Sequence, residues 1–421
     1  MNLKSCLTAL VAAAVWACGS YAIAANGPKP TPNKPTPVKP VPNKPAAPSP
    51  SAVEVVPEPP ELGEEAYLLM NYETGQILIS KNADKRIVPA SLTKMMTSYV
   101  IGQEIQAGRL HKEDMVTISD NAWSKKYGDS SKMFIEVGKQ VSVGDLNLGI
   151  IIQSGNDACI AMAEHIAGSE DAFANLMNEW AKYIGMNDSH FVNSHGLYHE
   201  NHYSTAYDMA VLGRALIHDL PDEYAIYSQK EFTFNNIKQT NRNRLLWDKS
   251  LHFDGIKTGH LSQVGYNLVA SAVDDATGFR LISVVIGAKS EAQRAEDSKK
   301  LLTYGFRFYK NVPLAKAGQQ IITKRVWYGA EDEASLGTID PINVTVPRNR
   351  VGDIKMSVKL DDGFTFEAPL KAGTPVGKII IRTGDEVVYQ TELVVTKDVE
   401  ECGWFGKLWD WLVKFITGLF S

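Results

Sequence analysis

Three short strings carry residues able to do chemistry together: Ser91-Leu92-Thr93-Lys94, Ser154-Gly155-Asn156 and Lys257-Thr258-Gly259. Pro89-Ala90 precede Ser91, and Leu92, Met95, Met96, Tyr99, Val100 and Ile101 follow it. That pattern predicts a loop entering a buried helix whose first turn holds Ser91. Positions i and i+3 share a helix face, so Lys94 sits beside Ser91. A serine hydroxyl is a weak nucleophile until a base takes its proton. A lysine becomes that base when desolvation or a second cation lowers its pKa, and Lys257 is the candidate second cation. The positive end of the helix favours the charge that develops on acylation. An ordinary serine and a solvated lysine would account for either residue alone, but not for a charged residue in so apolar a run.

Ile151-Ile152-Gln153 ends an apolar stretch, and the run from Asp157 to Ala163 opens a helix. A serine at such a corner is commonly a cap or turn former. Beside the other strings, Ser154 becomes a proton shuttle to a leaving group, with Asn156 orienting a substrate amide. The third string lies in Phe253-Asp254-Gly255-Ile256-Lys257-Thr258-Gly259-His260, which reads as a strand with glycines where another backbone comes close. At a sheet edge such a strand pairs with an extended peptide.

Taken together, the strings resemble the motif set of penicillin-binding proteins and class A β-lactamases. The likeness extends through Pro89–Thr97, Gln153–Cys159, Asn241-Arg242-Asn243, Asp254–His260 and Leu301–Phe308. Over about residues 62 to 421 the chain resembles the low-molecular-mass class C penicillin-binding proteins, serine D-alanyl-D-alanine carboxypeptidases of the penicillin-binding protein five type. The resemblance implies Ser91 as acyl-ester nucleophile and Lys94 as proton acceptor, with Ser154 and Lys257 as a relay. It implies an oxyanion hole from the backbone N–H groups of Ser91 and His260, beside Gly259. It also assigns Thr258 and Arg242 to the terminal D-alanine carboxylate and Arg307 to added positive potential nearby. Expected partners are peptidoglycan stem peptides and β-lactams as covalent inhibitors, with no cofactor and no metal.

Elements able to position these residues follow from the pattern. Leu68-Leu69-Met70 and Gln76–Ile79 flank the turn Asn71–Gly75, a hairpin. Helical periodicity dominates to about Ile217, strands return near 229–235, 253–258, 265–272 and 280–287, and a helix near 291–309 follows. This predicts an α/β domain with an antiparallel sheet and a helical subdomain over 62–311, the serine transpeptidase/β-lactamase-like fold that the resemblance implies. From 312 to 398 the period becomes two, as in Ile354-Lys355-Met356-Ser357-Val358-Lys359-Leu360, predicting a small all-β domain without catalytic residues.

The remaining segments speak to location. Met1–Ala24 has a basic start, an apolar stretch and Ala22-Ile23-Ala24, a secretory signal peptide with cleavage after Ala24. Trp16 beside Cys18 argues against a lipidated Cys18. Residues 27 to 60 hold thirteen of the twenty prolines, so 25–61 is expected to be an extended linker without a core. In 399–421, Lys407, Asp410, Lys414, Thr417 and Ser421 oppose Trp404, Phe405, Leu408, Trp411, Leu412, Phe415, Ile416 and Leu419, an amphipathic helix suited to a membrane interface. Packing on its own β-domain is the alternative. The expected location is the periplasmic face of the bacterial inner membrane, peripherally bound. The formal charge of −5, with no basic-aromatic block, excludes nucleic acid as a partner. Cys159 and Cys402 lie in unrelated segments, so no disulfide is expected, and Cys159 is expected to be a buried small hydrophobe.

Function therefore reads as a DD-carboxypeptidase removing the terminal D-alanine of stem pentapeptides, in cell-wall biogenesis and cell shape. A DD-endopeptidase shares the motifs, and a wall-binding scaffold would not need the intact serine–lysine set. A β-lactamase would need a deacylating glutamate with E-x-x-x-N spacing, and none is expected between Ser154 and Lys257.

Overall fold

The computed structural model describes residues 56–418. The signal peptide, Cys18, the Ala24 cleavage site, nearly all of the Pro-rich segment and Leu419 lie outside the described residues. In chain order, β1 (Ala66–Asn71) and β2 (Ile77–Lys81) form the expected hairpin, followed by α1 (Thr93–Gln106). A helical lobe contains β3 (Met115–Thr117), β4 (Gln140–Ser142), α2 (Val143–Leu148), α3 (Asn156–Ala167) and α4 (Glu170–Tyr183). After α5 (Ala206–Asp219) and α6 (Pro221–Tyr224) comes the small hairpin β5 (Glu231–Phe234) and β6 (Ile237–Thr240). Then β7 (His252–Leu261), β8 (Gly265–Val273), β9 (Arg280–Ala288) and α7 (Glu291–Phe308) return to the sheet.

The sheet runs β2-β1-β9-β8-β7, antiparallel throughout, with β7 at one edge. Strand alternation sorts its side chains into two cores. Leu69, Leu281 and Val285 pack with Leu301 and Leu302 of α7. Leu68, Met70, Ile282 and Val284 pack with Met96 and Tyr99 of α1 and with Met209 and Leu212 of α5. Burying each such side chain contributes about 1.5–3 kcal/mol. The run Met95–Ile101 is buried on all sides because α1 lies between sheet and helical lobe, where Ile101 joins Val141, Leu146, Ala158 and Met162.

β10 (Tyr309–Ala315) begins directly after α7, ahead of residue 312, and pairs with β13 (Ile342–Pro347). Pro313 punctuates the sequence there, yet a two-stranded sheet accepts it within a strand. The second sheet, in the order β11-β12-β16-β15-β14, comprises β11 (Gln320–Arg325), β12 (Glu333–Gly337), β14 (Ile354–Leu360), β15 (Pro375–Thr383) and β16 (Glu386–Val395). Val344, Val346, Ile379, Ile381, Leu393 and Val395 fill its core. Asn71 and Thr345, bonded through their side chains, tie this all-β part to the first sheet.

The tail forms α8 (Trp404–Gly418), and its polar edge is occupied. Asp410 accepts a hydrogen bond from the Tyr328 backbone N–H (2.6 Å) and pairs with Arg325 (3.5 Å). Lys407 pairs with Glu401 and Lys414 with Glu367. Trp404, Phe405, Trp409, Trp411 and Phe415 are exposed. Packing on the β-domain thus uses one side of the helix and leaves the apolar side outward. Among the described residues, no helix is long and apolar enough to cross a membrane.

Candidate active site

Ser91 stands in a tight 3-10 turn, Ala90–Leu92, that runs straight into α1. Ala90 adopts a left-handed backbone (φ +52) and is fully buried. Gly196 sits against it so closely that a Cβ there would come within 1.9 Å of the Ala90 carbonyl oxygen. From the other side β7 closes in at Gly259, where a Cβ would meet the Pro89 carbonyl at 3.0 Å. Both glycines are thus required by close approach of backbone to the nucleophile turn.

Lys94 is wholly buried, and its Nζ has three oxygen partners. It donates to Asn156 Oδ1 (2.7 Å) and to the His195 carbonyl (2.6 Å), while Ser91 Oγ lies 3.1 Å away. The two carbonyl oxygens can only accept. A neutral amine bonded to both keeps its lone pair for the Ser91 hydroxyl proton. Burial, with Arg242 behind it, lowers the Lys94 pKa to about 8, so the neutral form is within reach near physiological pH. Lys257 is also buried and is held well below the ordinary lysine range by burial, then by the charges of Lys94, Arg242 and Arg294.

The π-turn Gly149–Gln153 delivers Ser154 in a left-handed conformation (φ +64) at the mouth of α3. Gly155, not Ser154, caps α3. Ser154 Oγ is buried and, among the described residues, has no hydrogen-bond partner; Lys257 Nζ donates to the Thr258 carbonyl (3.3 Å) instead. The expected Ser154–Lys257 relay is therefore not bonded here. Lys257 is buried beside Lys94 and Arg242, and the next residue, Thr258, lines the cleft.

A cleft of about 660 Å³ brings together Ser91, Ser154, Asn156, Arg242, Thr258, Gly259 and His260. Ser130 and Ser131, for which the sequence offers no cue, also line it. Asn156 Nδ2 donates to Ser130 Oγ (3.0 Å) and Arg242 to Ser131 Oγ (2.5 Å). His260 stacks on Tyr266, with ring centroids 4.1 Å apart.

Arg307 does not belong to this group. It lies on the last turn of α7 over Phe308, lining a separate hollow with Tyr304. Arg294, in the first turns of the same helix, faces the cleft, donating to the Gly259 carbonyl (3.2 Å) and covering Tyr266. Thirteen residues of helix separate the two arginines by about 20 Å. Burial and the nearby Arg242 lower Arg294 to about 10, which leaves it cationic at neutral pH.

His195 and Glu170 brace the floor. Glu170 accepts from the Ser194 N–H (2.8 Å) and hydroxyl (2.7 Å), with His195 Nε2 at 3.5 Å. Burial drives His195 down to about 3, so it stays neutral and serves the site through its carbonyl. Cys159 is buried, its thiol donating to the Gly155 carbonyl, and burial pushes its pKa up to about 12, which makes it inert. The E-x-x-x-N spacing does occur once in the interval, contrary to expectation, at Glu231 and Asn235. It falls on the β5–β6 hairpin, where exposed Glu231 pairs with Lys238 (2.7 Å) and does not line the cleft.

Comparison with known proteins places the chain among characterised relatives. Residues 53–290 match the family model described as D-alanyl-D-alanine carboxypeptidase, and 309–401 the model of the penicillin-binding protein 5 C-terminal domain. The D-alanyl-D-alanine carboxypeptidase DacA of Haemophilus influenzae is 47% identical, covering 86% of this chain and 92% of its own. The crystal structure of penicillin-binding protein 5 from the same organism is 46% identical over 82% of this chain and 99% of its own, with a TM-score of 0.79. Penicillin-binding protein D2 of Listeria monocytogenes, solved with ampicillin bound, is 28% identical over 59% of this chain and all of its own, with a TM-score of 0.53.

Proposed function

The chain belongs to the D-alanyl-D-alanine carboxypeptidase family, and from that membership we propose how its residues carry out the reaction. It is a serine DD-carboxypeptidase of peptidoglycan metabolism. Lys94, neutral, takes the proton of Ser91 as Oγ attacks the carbonyl of the penultimate D-alanine. The backbone N–H groups of Ser91 and His260 stabilise the oxyanion. As the peptide bond breaks, the proton held by Lys94 is relayed through the Ser154 hydroxyl to the departing D-alanine nitrogen, which restores the neutral lysine and the Ser154 hydroxyl and leaves the shortened peptide as an ester on Ser91. Water then hydrolyses that ester.

Arg242 and Thr258, with Arg294 in place of Arg307, hold the terminal carboxylate that distinguishes a chain end from an internal peptide bond. Asn156 orients the substrate amide against edge strand β7. A β-lactam enters the same cleft and acylates Ser91, in keeping with the ampicillin complex of the Listeria relative. The observation that carries the reading is the triply bonded Lys94, whose two carbonyl partners aim its lone pair at Ser91.

The domain layout supports a location. A signal peptide at 1–24 and a Pro-rich spacer at 25–61 precede the catalytic part at 62–311. The all-β part, which begins with β10 at Tyr309, then carries the helix α8, whose outward apolar face suits the periplasmic surface of the inner membrane. The assay is direct: purified protein is incubated with stem pentapeptides and with crosslinked muropeptides. Release of free D-alanine from the pentapeptide supports the reading; cleavage of crosslinks alone makes the protein an endopeptidase.

A further inference from the structure

Strands β14 and β15 turn cations outward on one face of the second sheet. Their register sets Lys355 directly opposite Arg382 and Lys359 directly opposite Lys378, and all four are exposed. The alternate residues Ile354, Met356, Val358, Ile379 and Ile381 point into the core. Like charges directly opposite each other destabilise an antiparallel pair. Among the described residues, none of the four enters an ion pair. Arg382 donates to the Asp385 backbone carbonyl (3.3 Å), and Glu392 of β16 stands opposite Lys378 without bonding to it. The chain as a whole is anionic, so this grouping does not follow from composition.

Edge protection accounts for half of the pattern. Lysines on an edge strand deter pairing with another chain, and β14 is an edge. It does not account for Lys378 and Arg382, because β15 is paired on both sides. Opposed cations retained on an interior strand fit a surface whose repulsion is relieved by a bound polyanion. Lys355 and Lys359 lie about 13 Å apart along the strand, with the second row about 4.8 Å away. That spacing suits an extended chain bearing repeated negative groups.

We infer that this face docks a carboxylate-bearing polymer, the peptide-substituted glycan on which the cleft works. The identity of the polymer rests on the carboxypeptidase reading; the charge pattern does not. A lipid surface is the weaker match. The helix α8 attaches through Arg325 of β11, at the opposite edge of the same sheet, about 19 Å away in strand spacings. Docking here would raise the local concentration of stem peptides without any new contact in the cleft.

The test uses the full chain with Lys355→Gln, Lys359→Gln, Lys378→Gln and Arg382→Gln combined. Retention on protein-free peptidoglycan sacculi at about 50 mM salt should fall at least roughly fivefold, and wild-type retention should fade toward about 0.5 M salt. The thermal midpoint of the variant should hold or rise, since two repulsive pairs are removed. D-alanine release from a soluble pentapeptide should not change. Wild-type-like retention of the variant overturns the inference, as does a loss seen only on phosphatidylglycerol vesicles. Failure of the carboxypeptidase reading shows separately, as wild type that releases no D-alanine.

Discussion

Asn156 is bonded at both ends of its amide: Oδ1 accepts from Lys94 Nζ at 2.7 Å, and Nδ2 donates to Ser130 Oγ at 3.0 Å. The amide is thereby locked in one orientation, and the lysine meets a neutral acceptor rather than a carboxylate. A neutral partner adds no full opposite charge to favour the ammonium form, so the low pKa produced by burial survives.

That arrangement fixes a pH dependence. With Lys94 near 8, acylation by a penicillin should fall about tenfold for each pH unit below that value and level off above it. Asn156→Asp should move this limb upward, because an adjacent carboxylate favours the charged lysine. Stopped-flow acylation rates across pH 5.5–9.5 read both, and a flat wild-type profile below about 8 would remove Lys94 as the base. The same shift has a stability sign. Between about 8 and the ordinary 10.5 the unfolded chain binds the extra proton, so this lysine makes the fold gain stability as pH rises through that window.

Ser91→Ala should leave a folded protein that neither retains labelled penicillin nor releases D-alanine, with activity down by several orders of magnitude. Gel fluorescence and a D-alanine assay on the same sample suffice. A stable penicilloyl adduct on the variant would place the nucleophile elsewhere.

Arginine substitutions separate the two ends of α7. Arg242→Ala and Arg294→Ala should each lower kcat/KM for a peptide with a free terminal carboxylate by roughly 10- to 100-fold, the worth of a charge-assisted contact. Hydrolysis of a carboxylate-masked ester should change far less. Arg307→Ala should alter neither substrate, since its side chain lines a different hollow.

Gly196→Ala tests the clamp on the nucleophile turn. The added Cβ meets backbone rather than a flexible side chain, at 1.9 Å from the Ala90 oxygen, and Gly196 itself has φ +85. A stability loss of about 1–3 kcal/mol is expected from overpacking and strain. Acylation should slow at unchanged protein concentration, as Ser91 is pushed from Lys94. Thermal melts and acylation rates check the two effects, and a wild-type acylation rate would mean the turn is not held from this side.

Deleting residues 402–421 should release the protein into the soluble fraction while leaving turnover of soluble pentapeptide nearly intact. The deleted helix presents Trp404, Phe405, Trp409 and Trp411 outward and contributes nothing to the cleft. Membrane fractionation after a salt wash decides. Persistent association of the truncated chain would put the attachment elsewhere in the protein.

Legibility in the sequence follows how local each feature is. The Ser91–Lys94 pair is a matter of helix spacing, and the first hairpin and the period-two strands of the second sheet are likewise written in neighbouring residues. Which side of β7 faces inward is not local: Lys257 and Thr258 alternate in any strand, and only the position of α1 decides that the lysine goes under. The left-handed Ala90 and Ser154 carry no residue-type signal, because neither side chain advertises positive φ. Ser130, Ser131 and Arg294 reach the cleft from separate segments, so no spacing rule could join them to the three strings. Arg307 and Arg294 are both cations on one helix, and only their positions along it, relative to the cleft, tell them apart.

The seat of α8 on Tyr328 and Glu367 has a mechanical meaning. A tail joined at Cys402-Gly403 could act as a leash, letting the body swing at any angle over whatever surface the tail enters. With Asp410 fastened to the Tyr328 backbone, the helix is instead a foot. Any plane taken up by its outward face would meet the body at an angle set by the fold rather than by a flexible joint.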